Sequence, residues 1–282
     1  MSDANTVMSD RDFAEAKTLF GEDSFRGKVV LVSGGGSGIG RATAWLLARL
    51  GATVVIIGRT EAKLEACCAA ISAAGFSAEY LVQDIRDYDG VAVMFAQVFE
   101  KYGRLDVLIN NAGGQFPQPA IEFSKNGFDA VVGNNLNGSW YMMQHAARQW
   151  RERKQRAAVV NVVAVVARGM AGGAHTCAAR AGVIHLSKTV AVEWAEYGIR
   201  VNCVAPGVIF SEGMGVYSDE ARSAFDRSNP MKRFGTPWEI AQSCAYLASD
   251  AAGFVTGEVL TVDGGGQLWG DLWMAGKPDY FS

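Results

Sequence analysis

The sequence predicts an α/β chain built as one domain on a doubly wound, parallel sheet of seven strands. Two observations carry this. Short runs rich in Val, Ile and Leu at 28–33, 53–57, 78–82, 105–110, 157–163, 200–204 and 259–262 alternate with helical patterns at 38–50, 61–74, 87–102, 124–151, 174–197 and 237–248. Strands buried on both faces lose the polar alternation of a half-exposed sheet, and regular alternation with helices implies right-handed βαβ crossovers. The second observation is the turn Ser33-Gly34-Gly35-Gly36-Ser37-Gly38-Ile39-Gly40, set between the first strand and the first helix.

A chain of 282 residues, 49% hydrophobic and 20% charged, has the size and composition of a globular domain with a large core. A net charge of −3 disfavours a nucleic-acid partner. The five cysteines (Cys67, Cys68, Cys177, Cys203 and Cys244) are odd in number and lack CxxC spacing. A reduced cytoplasmic setting is expected, with no metal site. The polar, acidic opening segment has no apolar leader, and no apolar run nears the roughly 18 residues of a membrane span.

Along the chain, residues 1–25 read as an appendage, helical over 12–19. In the glycine turn, Gly34, Gly36, Gly38 and Gly40 permit tight backbone and close ligand approach, with Ser37 and Ile39 between them. The helix beginning there offers free N–H groups and partial positive charge to a pyrophosphate. The second strand ends in Gly58-Arg59-Thr60, with no carboxylate at 57–60. An acid there binds the ribose 2′-hydroxyl of NAD, whereas Arg59 suits a 2′-phosphate, so NADP(H) is expected over NAD(H). The plainer alternative is that Arg59 merely opens the next helix. Asp84 and Ile85 follow the third strand, where adenine would lie; Asp84 also suits the cap of the helix at 87. Asn111, Ala112 and Gly113, after the fourth strand, let a loop pass close to a cofactor. Arg151, Arg153, Lys154 and Arg156 suit a solvated helix C-terminus better than a phosphate site. Residues 207–235 hold no strand and suit a lid. The tail 267–282 is aromatic, with Trp269, Trp273, Tyr280 and Phe281, and suits subunit packing.

With Asn135-Leu136-x-Gly138, Ile199-Arg200-Val201-Asn202 leading to Pro206-Gly207, and Asp263-Gly264-Gly265, these motifs make residues 26–266 resemble the short-chain dehydrogenases/reductases. The resemblance implies a seven-stranded Rossmann sheet, a nicotinamide cofactor touched also by Pro206, Gly207 and Ile209, a small-molecule substrate and a homotetramer. The usual catalytic set of that family is Asn, Ser, Tyr and Lys. Only Asn135 matches. Ala164 stands for Ser, Thr176 for Tyr and Arg180 for Lys.

Reduction of a ketone leaves an alkoxide needing a proton at once, which a phenol with a pKa near 10 supplies. Threonine is far too weak an acid, and an arginine does not exchange protons near neutrality. Arg180 still suits the cofactor ribose and supplies charge. A conjugated thioester asks only for hydrogen-bond donors to an enolate oxygen, which the Thr176 hydroxyl with water or a backbone N–H could provide. The segments 110–116, Tyr141-Met142, 175–183 and 202–209 also resemble the peroxisomal trans-2-enoyl-CoA reductases, and the related 2,4-dienoyl-CoA reductases have Ser where Thr176 stands. That implies NADPH-dependent reduction of an acyl-CoA double bond. The final residues 279–282 lack a peroxisomal tripeptide.

Two alternatives stand beside it: an alcohol or ketone oxidoreductase with a relay through water or His175, and a catalytically silent dinucleotide binder. His175 itself suits a cap or packing role better than proton donation, Thr176 could be a space-filler, Tyr141 suits burial on its helix, and Cys177 reads as a small apolar residue.

Overall fold

A computed structural model describes residues 7–219, 224–268, 274 and 279–281. The strands are β1 Val29–Ser33, β2 Thr53–Gly58, β3 Ala78–Val82, β4 Val107–Asn110, β5 Ala157–Val162, β6 Ile199–Pro206 and β7 Val259–Val262. They form one parallel sheet in the order β3-β2-β1-β4-β5-β6-β7. The strand order reverses between β1 and β4, and ligands of doubly wound sheets bind in the crevice beyond the strand ends at that point.

Side chains leave the sheet alternately on its two faces. Val30, Val32, Val54 and Ile56 join Trp45, Leu46, Trp238 and Cys244 on one face, under α2 (Gly38–Arg49), α3 (Glu61–Ala73) and α8 (Pro237–Ala248). Val29, Leu31, Val55 and Ile57 join Phe95, Met142 and Trp150 on the other, under α4 (Tyr88–Tyr102), α6 (Gly138–Arg153) and α7 (Ala174–Glu193).

Two differences from the sequence reading matter. The appendage carries its helix, α1, at Asp10–Glu15 rather than 12–19, because Ser9 and Asp12 form a capping box that sets the start. It is docked: Phe13 is buried against Trp238, Arg49 donates to the Phe13 and Ala16 carbonyls at 2.6 and 2.8 Å, and Trp238 Nε1 donates to the Lys17 carbonyl at 2.9 Å. The helix expected over 124–151 is α5 (Lys125–Val132) and α6 joined by a π turn, Gly133–Asn137. Trp269 and Trp273 lie outside the described residues.

Candidate active site

The glycine turn is held from the β4 side. Ser33 Oγ accepts the Asn111 and Ala112 N–H groups, each at 3.0 Å, and Asn111 Nδ2 donates to the Ser33 and Gly34 carbonyls at 3.0 and 3.2 Å. Gly34 and Gly38 adopt φ of 66° and 52°, which favours glycine. Gly40 and the buried Gly35 are needed for packing: a Cβ on Gly35 would lie 2.6 Å from Ile56, and one on Gly40 would strike the Gly34 carbonyl. Ile39 packs against the core. Asn111, expected close to the cofactor, has its amide turned inward onto this turn and does not line the cleft.

At the head of α2, Ser37 is extended and its side chain makes no cap hydrogen bond. The Gly38 N–H instead donates to Glu212 Oε2 at 3.0 Å. A carboxylate of the chain itself thus sits where the helix N-terminus favours an anion. The residues present fit a dinucleotide diphosphate.

Beside this turn a cleft of about 170 Å³ is lined by Gly34, Gly36, Ser37, Arg59, Asp84, Ile85, Ala112 and Gly113, all expected at the cofactor, and by Thr60, Lys63 and Gln83. Asp84 is bound by Arg86, with Nε 3.0 Å from each carboxylate oxygen, and this contact holds its carboxyl below the usual range. The cap of α4 is Asp87, which accepts the Gly90 N–H at 3.0 Å, so Asp84 does not serve there. Ile85 is buried against Gly138. Pro206 closes β6, Gly207 packs on Asp263, and Ile209 lines a separate cavity with Asn229, Arg233 and Glu239.

The π turn widens the helix by one residue and carries Asn135 into the protein, a common use of such turns. Asn135 is buried, and its amide grips Gly114 twice: Oδ1 accepts the Gly114 N–H at 3.0 Å and Nδ2 donates to the Gly114 carbonyl at 2.9 Å. A Cβ on Gly113 would collide with Arg180 Nη2 and lie 3.1 Å from Asn135 Oδ1. Asn135 and Arg180 therefore converge on one small residue beside the glycine turn.

Thr176 and Arg180, four apart on α7, share a helix face. Both are buried, at 2% and 7% exposure. The Thr176 hydroxyl has no hydrogen-bond partner among the described residues. Burial lowers the Arg180 guanidinium to about 10; the group that favours its charge is Cys203, a thiol pushed up to about 11 and so neutral. No described carboxylate lies within ion-pair distance of Arg180. His175 is wedged between Phe116 and Phe123, with ring centres at 4.8 and 4.4 Å. Its Nδ1 accepts the Thr176 N–H at 2.7 Å, and burial holds it neutral. It packs between the two rings, while the cap position of α7 is Gly173. Tyr141 packs edge-on against Tyr88, at 5.0 Å.

Sequence reasoning missed Lys63, Glu212, and the pair formed by Gln115 and Tyr217, whose side chains hydrogen-bond each other. Lys63 had a signal, being in the first turn of the helix after β2. Glu212 and Tyr217 had none, since they arrive from a strand-free segment.

Fold and site together define a dinucleotide-binding α/β protein with a buried, cationic end to its crevice. A family profile described as "Enoyl-(Acyl carrier protein) reductase" matches residues 34–267. A probable 2,4-dienoyl-CoA reductase ((2E)-enoyl-CoA-producing) of Bacillus subtilis is 40% identical over 243 residues, covering 84% of this chain and 96% of that protein. A 3-oxoacyl-[acyl-carrier-protein] reductase of Thermotoga maritima is 36% identical over 240 residues, covering 85% and 97%. A solved short chain dehydrogenase from Bacillus anthracis superposes with a TM-score of 0.82 at 41% identity, covering 88% and 99%. The chain belongs to the short-chain dehydrogenase/reductase family of oxidoreductases, whose members bind nicotinamide dinucleotides. Among the described residues no helix is long and apolar enough to cross a membrane.

Proposed function

We propose that the protein is an NADP(H)-dependent reductase of the carbon–carbon double bond of a 2-enoyl-CoA or 2,4-dienoyl-CoA. One observation carries this reading. Behind Gly113, which lines the cleft, Arg180 brings a buried guanidinium with no counter-ion among the described residues; one turn away the buried Thr176 hydroxyl has no described partner, and α7 carries no phenol. Such a pair offers hydrogen-bond donors to a negative oxygen, and α7 brings no phenol beside it. The reduced nicotinamide, when bound, supplies hydride to the β-carbon of a 2-enoyl thioester or the δ-carbon of a 2,4-dienoyl one. Arg180 and Thr176 then hold the thioester oxygen as charge gathers on it, while Asn135 fixes the Gly113–Gly114 wall against which the substrate lies. The α-carbon takes its proton from water or a weak donor. The B. subtilis relative's name supports this substrate class.

NADP(H) is supported by Arg59, Thr60 and Lys63, which line the adenosine side of the cleft, and by the pairing of Asp84 with Arg86, which leaves no free carboxylate against a 2′-phosphate. A single catalytic domain over 26–266, a homotetramer and a cytoplasmic setting complete the reading.

A second reading has its own observation. Tyr217 hydrogen-bonds Gln115, the neighbour of the Gly114 that Asn135 holds, so a phenol does stand at the crevice mouth. It would serve ketone reduction, the activity in the name of the T. maritima relative. Loss of NADPH absorbance on adding 2-enoyl-CoAs, 2,4-dienoyl-CoAs or 3-oxoacyl-CoAs separates the two. Turnover of the unsaturated thioesters, undiminished in Tyr217→Phe, supports the first. Turnover confined to 3-oxoacyl substrates and lost in Tyr217→Phe replaces it with the second.

A further inference from the structure

We propose that Glu212 is a built-in competitor for the cofactor diphosphate, a carboxylate of the lid that must leave the head of α2 before a dinucleotide can seat. The inference rests on dinucleotide binding by the family and not on the substrate reading above.

The geometry is specific. Glu212 Oε2 accepts the Gly38 N–H at 3.0 Å, and Oε1 lies 3.8 Å from Arg41 Nη1. The helix supplies no cap of its own from Ser37. Ser211 and Glu212 are the nearest atoms to a Cβ built on Gly38, at 3.7 to 3.8 Å, so this part of the lid lies over the turn that the diphosphate would approach. The lid is anchored on both sides of Glu212. Phe210 N donates to the Gly235 carbonyl at 2.9 Å, Met214 is buried, and Tyr217 meets Gln115 on the opposite wall. Glu212 is thus presented to the helix by a fixed turn.

A carboxylate and a diphosphate compete for the same orphan N–H groups and the same helix-end charge, and they repel each other. Arg41 would gain from the exchange. Its guanidinium is held by Asp10 of the docked N-terminal arm, with Nε donating to Oδ1 at 3.1 Å, and Asp10 also accepts from Trp45 Nε1 at 2.9 Å. The arm therefore keeps Arg41 aimed at the place Glu212 vacates. Were Glu212 seated about nine-tenths of the time, the apparent dinucleotide affinity would be weakened roughly tenfold.

The test is calorimetric titration of the full chain and of Glu212→Gln with NADPH, NADH and adenosine 2′-phosphate, which has no diphosphate. The expected result is a several-fold to roughly tenfold lower Kd for both dinucleotides in Glu212→Gln, with adenosine 2′-phosphate unchanged. Glu212→Ala should read the same, guarding against a local effect of the glutamine. Unchanged or weaker dinucleotide binding overturns the proposal, as does equal tightening of adenosine 2′-phosphate, which would mark a general charge effect. If adenosine 2′-phosphate binds neither protein, the NADP(H) reading falls and NADH alone decides the role of Glu212.

Discussion

Replacing Arg180 by Met should stabilise the empty protein and disable it. Burial lowers the guanidinium well below its ordinary value, to about 10, and no acid among the described residues compensates. Each pKa unit is worth about 1.4 kcal/mol, so the buried charge costs the folded chain about 3 kcal/mol. The unfolded chain holds that proton more tightly. The cost is therefore complete at neutral pH and lifts only as pH climbs above about 10. Methionine keeps most of the length and packs without charge. Removing a buried ion that has no partner differs from breaking a pair, because no charge is left behind. For a chain this long, about 3 kcal/mol corresponds to roughly 5 °C in Tm, and lost packing trims that. At the same time the cation packed behind Gly113 is lost. Loss of one preorganised donor to a developing oxyanion typically lowers kcat by about 10²–10³. Differential scanning calorimetry and steady-state kinetics, run alongside Arg180→Lys, read both effects. A melting temperature several degrees lower with turnover preserved would refute the reasoning: Arg180 would be a satisfied structural cation with no task in the crevice.

Two further outcomes follow from the same residues. Thr176→Val removes a hydroxyl that is buried and bonded to nothing among the described residues, so the apo melting temperature should hold or rise slightly while kcat/KM falls at least tenfold; an unchanged kcat/KM would make Thr176 a space-filler. Arg59→Glu places a carboxylate where a 2′-phosphate would lie, and should weaken NADPH by about tenfold or more while leaving NADH nearly unaffected, read as the ratio of the two Kd values.

The sheet was legible because each strand is a run of β-branched and aliphatic residues buried on both faces, a pattern that needs no partner to be recognised. The glycine turn, Asn135 and the vacancy at the tyrosine position were legible for a related reason. They are fixed by backbone demands and by their place in a local motif. Even there, the sequence gives type and not task. Asn111 sits in the expected motif, yet its amide shapes the glycine turn from behind. The helix over 124–151 hid a π turn, because one extra residue per turn barely disturbs a 3.6-residue pattern although it turns Asn135 inward.

What stayed illegible came from long-range contacts between segments with no periodic signal. Glu212 lies 174 positions from Gly38, and Tyr217 lies 102 from Gln115. Neither pairing leaves a trace in local spacing. The docked arm is the same kind of case. Nothing in 7–25 announces that Asp10 will hold Arg41, because the partners are supplied by α2 only after the sheet has formed beneath it. The chain's family machinery is thus written locally, in strands and motifs. Its individuality, the carboxylate over the diphosphate position and the cation aimed at it, is written in contacts that only the closed fold creates. A purely local reading therefore reaches the nicotinamide dinucleotide class and carries no sign of the carboxylate that meets Gly38.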